Sequence, residues 1–358
     1  MAKVLIGMSG GVDSAVAAYL LQKEGYEVIG VTLRSWMSQD GDEGRCCEID
    51  DARNVAAKLG IRYHVQNCLS QFEEHVTAPF VRDYIHGLTP NPCIECNRFV
   101  KWEQMLYLAK VMQADYVATG HYASVVRCGN GRYTVKCAEH AEKDQTYMLY
   151  KLTQEMLEKT LMPLGSYSKQ EVRKIASSIG IPVADKPDSQ EICFVPDGSY
   201  ADYILANAKE TVPGEGNFVD EAGNVIGRHK GIIHYTVGQR KGLGIALGVP
   251  AFITKIDPVK NEITIGTESS LYSREVFCGD CNYLSIPGIG EGENIHCLAK
   301  IRYHHNASPA VLTVAGQDRL RITFDEPVKG AAPGQSAVFY DEEDRVIGGG
   351  IILRKEDI

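Results

Sequence analysis

Apolar and polar positions follow two different rhythms along this chain. Up to about Ala208, short apolar runs that read as strands are each followed by a longer stretch with the spacing of an amphipathic helix. "KVLIGMS" precedes "DSAVAAYLLQKEG", "YEVIGVTLR" precedes "EIDDARNVAAKLG", and "RYHVQN" precedes "LSQFEEHVTAPFVRDYI". "KWEQMLYLAKVMQA" then leads into "DYVATGHY". This alternation predicts a parallel sheet covered by helices. "VVRCGNGRYTVKC" predicts a hairpin turning at Gly129-Asn130-Gly131, and "SKQEVRKIASSIG" and "SYADYILANA" predict further helices. After "VPGEGNFVDEAGNVIG" the rhythm changes to glycine, proline and short β-like runs: "AFITKIDP", "EITIGT", "AVLTVAG", "LRITFD" and "SAVFYD". These predict an all-β half, built as two small barrels or sheets.

Composition narrows the class. A chain of 358 residues holds two or three domains, and a hydrophobic share of 44% is ordinary for a globular protein. No window has the apolar length of a membrane span, and the N-terminus lacks the layout of a signal peptide. A cytoplasmic protein with no membrane partner is therefore expected. Its eleven cysteines then read as thiols, metal ligands or catalysts rather than a disulfide framework. The net charge of −9 argues against a cation-coated surface, yet a local basic surface is enough to hold a nucleic acid.

The turn "GMSGGVDS", residues 7–14, carries the first chemistry. A strand that passes through glycines into a helix leaves backbone N–H groups without partners, and the helix dipole adds positive potential there. Such a place binds anions. Gly10 and Gly11 let the backbone approach a phosphate, and Ser9 and Ser14 add hydroxyls. Asp13 would repel a phosphate directly, so it suits a Mg²⁺ that bridges to phosphate oxygens. A plain helix cap explains the same residues equally well. The stretch is not a Walker loop, because it lacks the terminal lysine.

"GMSGGVDS" resembles the SGGxDS signature of the PP-loop ATP pyrophosphatases. The resemblance implies ATP cleaved between its α and β phosphates, with Gly7, Met8, Ser9, Gly10, Gly11, Val12, Asp13 and Ser14 around the departing pyrophosphate. It also implies Leu33 of "GVTLR" against the adenine and Gly120 of "ATGHY" close to the nucleotide. Both segments follow strands, at the ends where open α/β sheets bind ligands.

The cysteines separate members of that group. Cys93 and Cys96 follow a Pro-Asn-Pro turn at the start of a helix-like run, where a thiol is acidified, and Arg98 and Lys101 push the same way. Cys193 sits in a loop-like stretch with Lys186 upstream. Cys46, Cys47, Cys68, Cys128, Cys137 and Cys297 read as small buried hydrophobes. "TPNPCIECNRFVKW", "KPDSQEICFVP" and "YTVGQRKGLGI" together are similar to segments of the bacterial tRNA-specific 2-thiouridylases, a resemblance that spans nearly the whole chain. It implies an α/β fold: a Rossmann-like PP-loop domain over 1–210, a small β-rich domain over 211–277 and a β-barrel over 278–358.

It further implies a reaction and its parts. ATP adenylates the C2 oxygen of the wobble uridine in tRNAs for lysine, glutamate and glutamine. Cys193 then delivers sulfur as a persulfide received from a donor protein, and Cys96 releases the product, leaving a Cys96–Cys193 disulfide. Asn91, Pro92 and Cys93 would line the target base, while Lys143, Asp144, Gln145, Arg302 and Tyr303 would touch the tRNA. Taken alone, "KDQ" is equally a helix cap and "IRY" an ordinary strand. Many members of the family have aspartate where Cys93 stands. Cys93, Cys96 and Cys193 could instead hold a 4Fe–4S cluster with one open iron, a rival to the persulfide route. Cys278 and Cys281 could hold zinc with His296, Cys297, His304 or His305, although no second C-x-x-C completes a site. The rivals are another PP-loop ligase and a non-catalytic, ATP-gated RNA-binding protein.

Overall fold

The computed structural model describes residues 1–37, 48–181, 192–195, 199–245 and 250–357. Cys46, Cys47, Lys186 and the rest of the "KPDSQE" stretch lie outside the described residues. The predicted alternation is present. A parallel sheet runs in the order β3–β2–β1–β4–β7, with β1 Lys3–Gly7, β2 Glu27–Arg34, β3 Arg62–Asn67, β4 Tyr116–Ala118 and β7 Thr160–Leu161. The hairpin of β5 (Ala123–Arg127) and β6 (Tyr133–Cys137) follows β4.

Residues alternate across the pleat, so β1 feeds two cores. Val4 and Ile6 pack with α1 (Val12–Lys23), α2 (Ile49–Leu59) and the helix Lys169–Ser178. Leu5 faces the other way, toward Trp102, Met105 and Leu108. That second core continues into the C-terminal half through Leu284, Val338, Tyr340 and Val346.

The all-β half has two parts. β8 (Gly216–Val219), β9 (Val225–His229), β10 (Phe252–Asp257) and β11 (Glu262–Gly266) make a four-stranded sheet. β12 (Tyr272–Tyr283), β13 (Ile295–Lys300), β14 (Ser308–Gly316), β15 (Arg319–Lys329), β16 (Ser336–Tyr340) and β17 (Val346–Ile352) close a barrel in the order β12–β15–β14–β13–β16–β17. Closure leaves no unpaired sheet edge.

The barrel is fastened to the first domain by polar groups as well as apolar ones. Arg132 donates from Nε to the Leu284 carbonyl at 2.8 Å and from Nη2 to that of Tyr283 at 2.9 Å. The Asn282 amide donates to the Tyr150 and Leu152 carbonyls at 2.6 and 3.0 Å. Tyr147 donates to the Ser336 carbonyl at 2.8 Å from a fully buried position. Lys151 joins Glu95 at 2.7 Å to Asp280 of the barrel at 2.6 Å. No helix among the described residues is long and apolar enough to cross a membrane.

Candidate active site

β1 ends at Gly7, and the chain turns through Ser9, Gly10 and Gly11 into α1. Gly10 has φ +81°, and a Cβ there would meet Glu48 Cβ at 2.7 Å, so glycine is required twice over. Gly11 is the N-cap of α1, and no side chain caps the helix. The first N–H groups of α1 therefore point outward with the dipole behind them. Ser14 bends back to donate to the Gly11 carbonyl at 3.1 Å, holding the turn closed.

β4 brings the second half of the site. The loop after it presses Gly120 against α1, where a Cβ would lie 2.7 Å from Ser14 N and 2.8 Å from the Asp13 carbonyl carbon. Only glycine fits this close approach. A cavity of about 250 Å³ results. Gly7, Met8, Ser9, Asp13 and Ser14 line one side, Leu33 another, and Gly120, Gln145 and Cys96 the rest. Val12 is buried as the first residue of α1 and supports the wall from behind.

A local irregularity explains why Cys96 joins this set. Asn91 caps the turn Pro92–Glu95 by accepting from Cys93 N at 3.1 Å, with Pro92 at the first helical position. Cys96–Trp102 then winds as a π-helix before Glu103–Met112 resumes α-helical geometry. The wider turn places Cys96, Val100, Lys101 and Met105 all on the cavity wall.

Asp13 is held from two sides. Its carboxylate accepts from Tyr122 at 2.7 Å and lies 2.8 Å from Lys169 Nζ through each oxygen. Sequence reasoning missed Lys169, which lies 156 residues away with no local signal. It also passed over Ser35, Thr119 and His121, which line the cavity, and read Lys101 only as a neighbour of the cysteines. Thr119, His121 and Tyr122 belong to the "ATGHY" segment that pointed to Gly120, so that signal was broader than one residue.

His121 Nδ1 lies 2.8 Å from Thr119 Oγ1, and its ring centroid is 5.5 Å from that of Trp102. The ring reaches the cavity, yet burial, aided by the positive charge of Lys101, pushes it down to about 3. An unfolded chain protonates this histidine near 6.5, so the unfolded state takes up a proton first as pH falls. Stability is therefore present above pH 6.5 and is lost progressively toward pH 3. His121→Asn should shrink the loss between pH 7 and pH 5, measured by urea unfolding, by on the order of 1–2 kcal/mol. An unchanged pH dependence would assign the titration to another group.

Of the residues implied to meet the base and tRNA, Cys93, Asp144 and Tyr303 lie near one another. Cys93 is exposed, and the Tyr303 phenol is held above its ordinary value by burial, then by Asp144 and Cys93. Tyr303 donates to the Asp144 carbonyl at 3.0 Å. Arg302 is exposed, and Lys143 ends the short turn Ala141–Lys143. Asp144 itself is buried. Its carboxylate accepts from Ala138 N at 3.1 Å and Thr146 Oγ1 at 2.7 Å, so its bonds run inward rather than to the surface.

Cys193 and Cys96 pack against one apolar cluster that includes Phe72, Phe80 and Phe194, although Cys193 does not line the nucleotide cavity. Among the described residues, no group of three or more His, Cys, Asp or Glu side chains is placed to hold a metal ion. Cys93, Cys96 and Cys193 thus do not form a cluster cradle, and Cys278 and Cys281 gain no zinc ligand from His296, Cys297, His304 or His305. ATP fits better: the wall offers uncapped helix N–H groups, Lys101, and an apolar side of Val31, Leu33 and Met105. A Mg²⁺ fits only as a partner of phosphate, because Asp13 is the one carboxylate on the wall among the described residues. Among the other cysteines, Cys68 and Cys297 are buried as expected, whereas Cys128 and Cys137 are half-exposed in and beside the hairpin.

Three family models match consecutive stretches: tRNA methyl transferase HUP domain over residues 2–197, tRNA methyl transferase PRC-barrel domain over 204–267, and aminomethyltransferase beta-barrel domain over 273–352. The tRNA-specific 2-thiouridylase MnmA of Lachnoclostridium phytofermentans is 50% identical over 362 residues, covering 99% of this chain and 100% of that one. The protein of the same name from Clostridioides difficile is 49% identical, covering 98% of each. Among solved structures, the U34-tRNA thiolase NcsA from Methanococcus maripaludis, with its [4Fe-4S] cluster, has a TM-score of 0.35 and 18% identity, covering 57% of this chain and 63% of that one. That likeness is too slight to carry an argument. The curated relatives match at about half of all positions from end to end, and on that ground the chain belongs to the tRNA-specific 2-thiouridylase family.

Proposed function

We propose that this chain is an ATP-dependent tRNA-uridine 2-sulfurtransferase acting on the wobble uridine of tRNAs for lysine, glutamate and glutamine. The observation that carries the reading is the single cavity shared by the phosphate-type loop, Leu33, Gly120 and the Cys96 thiol. An activated carbonyl and a thiol have to meet, and here the groups for both lie on one wall.

The uridine C2 oxygen attacks the α-phosphate of ATP and expels pyrophosphate. The N–H groups of α1 and Lys101 stabilise the charge that develops there. Leu33 packs on the adenine, and Gly120 admits the nucleotide to the helix end. Mg²⁺, held by Asp13 and the phosphates, would neutralise the leaving pyrophosphate. Lys169 releases one Asp13 oxygen for that purpose and stays within reach of phosphate.

Cys193, loaded as a persulfide by a sulfur-donor protein, attacks C2 through its outer sulfur, and AMP leaves. Cys96 thiolate then attacks the Cys193 sulfur. The S–S bond breaks, the 2-thiocarbonyl forms, and a Cys96–Cys193 disulfide remains for an external thiol to reduce. Asn91, Pro92 and Cys93 line the flipped base, as suits a single-stranded anticodon loop. Lys143, Gln145, Arg302 and Tyr303 face the RNA. The reaction belongs in the cytoplasm, where such tRNAs are found.

The test is tRNA-dependent pyrophosphate release by the purified protein, with thiolated nucleoside measured after digestion. Pyrophosphate without thionucleoside, given a persulfide donor, would sink the sulfur-transfer reading. The acidic chain needs local cations to hold RNA, so Arg302→Ala should weaken tRNA binding roughly three- to tenfold and lower the salt slope by about one. ATP binding should not move. A filter-binding salt titration that leaves both quantities unchanged removes Arg302 from the interface.

A further inference from the structure

Cys278 and Cys281 lie three residues apart on β12, a spacing that places side chains on opposite faces of a regular strand. Here they share a face. Gly279 pairs with Ile351 and Asn282 with Gly349, so Asp280 and Cys281 together oppose Gly350. One extra residue on β12 makes a bulge, and the bulge turns Cys281 toward Cys278. Asp280 takes a left-handed backbone with φ 50°. The Asp318 carboxylate fastens it, accepting from Asp280 N and Cys281 N at 3.2 Å each.

β17 is shaped to the sulfur pair. A Cβ on Gly350 would lie 3.0 Å from Cys278 Sγ and 3.0 Å from Cys281 Sγ, so both sulfurs rest against one point of the facing strand. Cys281 Sγ is 4.0 Å from the Cys278 carbonyl oxygen. Cys278 is buried and Cys281 half-buried, so one thiol can be reached from outside and the other waits behind it.

We propose that Cys278 and Cys281 form a thiol–disulfide exchange site for small-molecule disulfides, separate from the thiols of the nucleotide cavity. Cys281 thiolate attacks one sulfur of the incoming disulfide, forming a mixed disulfide and releasing the first thiol. Cys278 then gives up its proton and attacks the Cys281 sulfur, which expels the second thiol. The protein pair is oxidised by two electrons and the small disulfide is reduced to two thiols. The order follows from exposure, and the Cys281 thiol, burial and Asp318 together hold the Cys278 thiol well above its ordinary value.

The bulge also carries Asp280, whose carboxylate holds Lys151 at 2.6 Å. Lys151 in turn holds Glu95, the residue before Cys96, at 2.7 Å. Closing the sulfur pair draws in the bulge and so acts on the start of the Cys96 helix through two ion pairs.

The test uses the full chain with Cys96→Ala and Cys193→Ala, incubated with oxidised glutathione, then denatured, alkylated and mapped by mass spectrometry. The expected product is one internal disulfide joining residues 278 and 281. Cys281→Ser should form none while unfolding at the parent temperature. Gly350→Ala should close roughly tenfold more slowly, because its methyl separates the sulfurs. Full alkylation of both cysteines after incubation, or a mixed disulfide that stops at Cys281, would overturn the site. In Cys193→Ala protein, oxidation should change the rate at which Cys96 is alkylated, and an unchanged rate would overturn the link to Cys96. Neither readout uses tRNA or ATP, so failure here is distinct from failure of the sulfurtransferase reading.

Discussion

Cys193→Ala is expected to stop formation of thiolated tRNA while tRNA-dependent pyrophosphate release continues. Loss of a covalent group costs roughly 10³-fold or more in turnover, since no neighbouring group replaces it. Adenylation precedes sulfur transfer and draws on the loop of residues 7–14, which Cys193 does not touch. Cys193 packs instead on the cluster around Phe72 and Phe194. Cys96→Ala should behave alike but accumulate a covalent adduct between Cys193 and the base, visible as tRNA that survives denaturing gels in complex with protein. Cys93→Asp, by contrast, should keep substantial activity, because this exposed thiol does no covalent work in this scheme. The same assays on all three variants decide the matter. Equal loss of pyrophosphate release in the Cys193 and Cys96 variants would mean that the thiols support the nucleotide site rather than follow it.

Gly120→Ala should fail one step earlier. The added methyl would stand 2.7 Å from Ser14 N and 2.8 Å from the Asp13 carbonyl carbon, both backbone atoms that cannot swing aside. Either the loop after β4 or the start of α1 has to move. Both carry groups that would hold phosphate, and misplacement by about 1 Å costs on the order of 10² in rate. We therefore expect pyrophosphate release about a hundredfold slower, weaker ATP binding by calorimetry, and unchanged circular dichroism. Gly129→Ala is the control, since its methyl would meet nothing within 4 Å. An ATP affinity equal to wild type in Gly120→Ala would show that the close approach is not needed for the nucleotide.

Much of the fold was legible because local and tertiary preferences agree there. β1 and β2 are nearly continuous apolar runs, as buried parallel strands must be, and they are followed by α1, buried over most of its surface, and α2, which has one apolar face. Two strands of the barrel were not readable. β17 contains Gly348-Gly349-Gly350, a poor strand sequence taken alone. A methyl on Gly349 would lie 2.6 Å from the Tyr150 ring, and one on Gly348 would lie 2.3 Å from the Asn282 carbonyl oxygen. Gly349 is there because the barrel is pressed against the first domain, and Gly348 because β17 lies close against β12 within the barrel, demands that appear only after these elements have packed. β12 is hidden for a related reason: its bulge interrupts the period-two pattern from within.

The candidate site divides along the same line. The order of residues in the chain determined the glycine turn, the helix start behind it, the Asn-Pro cap before Cys96 and the choice of cysteines to suspect, since each depends on near neighbours. Tertiary structure alone decided that Lys169 clamps Asp13, that Asp144 turns its carboxylate inward, and that Gly120 lies against α1. It also decided that a π-helical turn brings Cys96 and Lys101 onto one wall. Those contacts join residues far apart in the chain or depend on a helical irregularity. Local propensity has no term for either, because their energy arises only when separate elements are packed together.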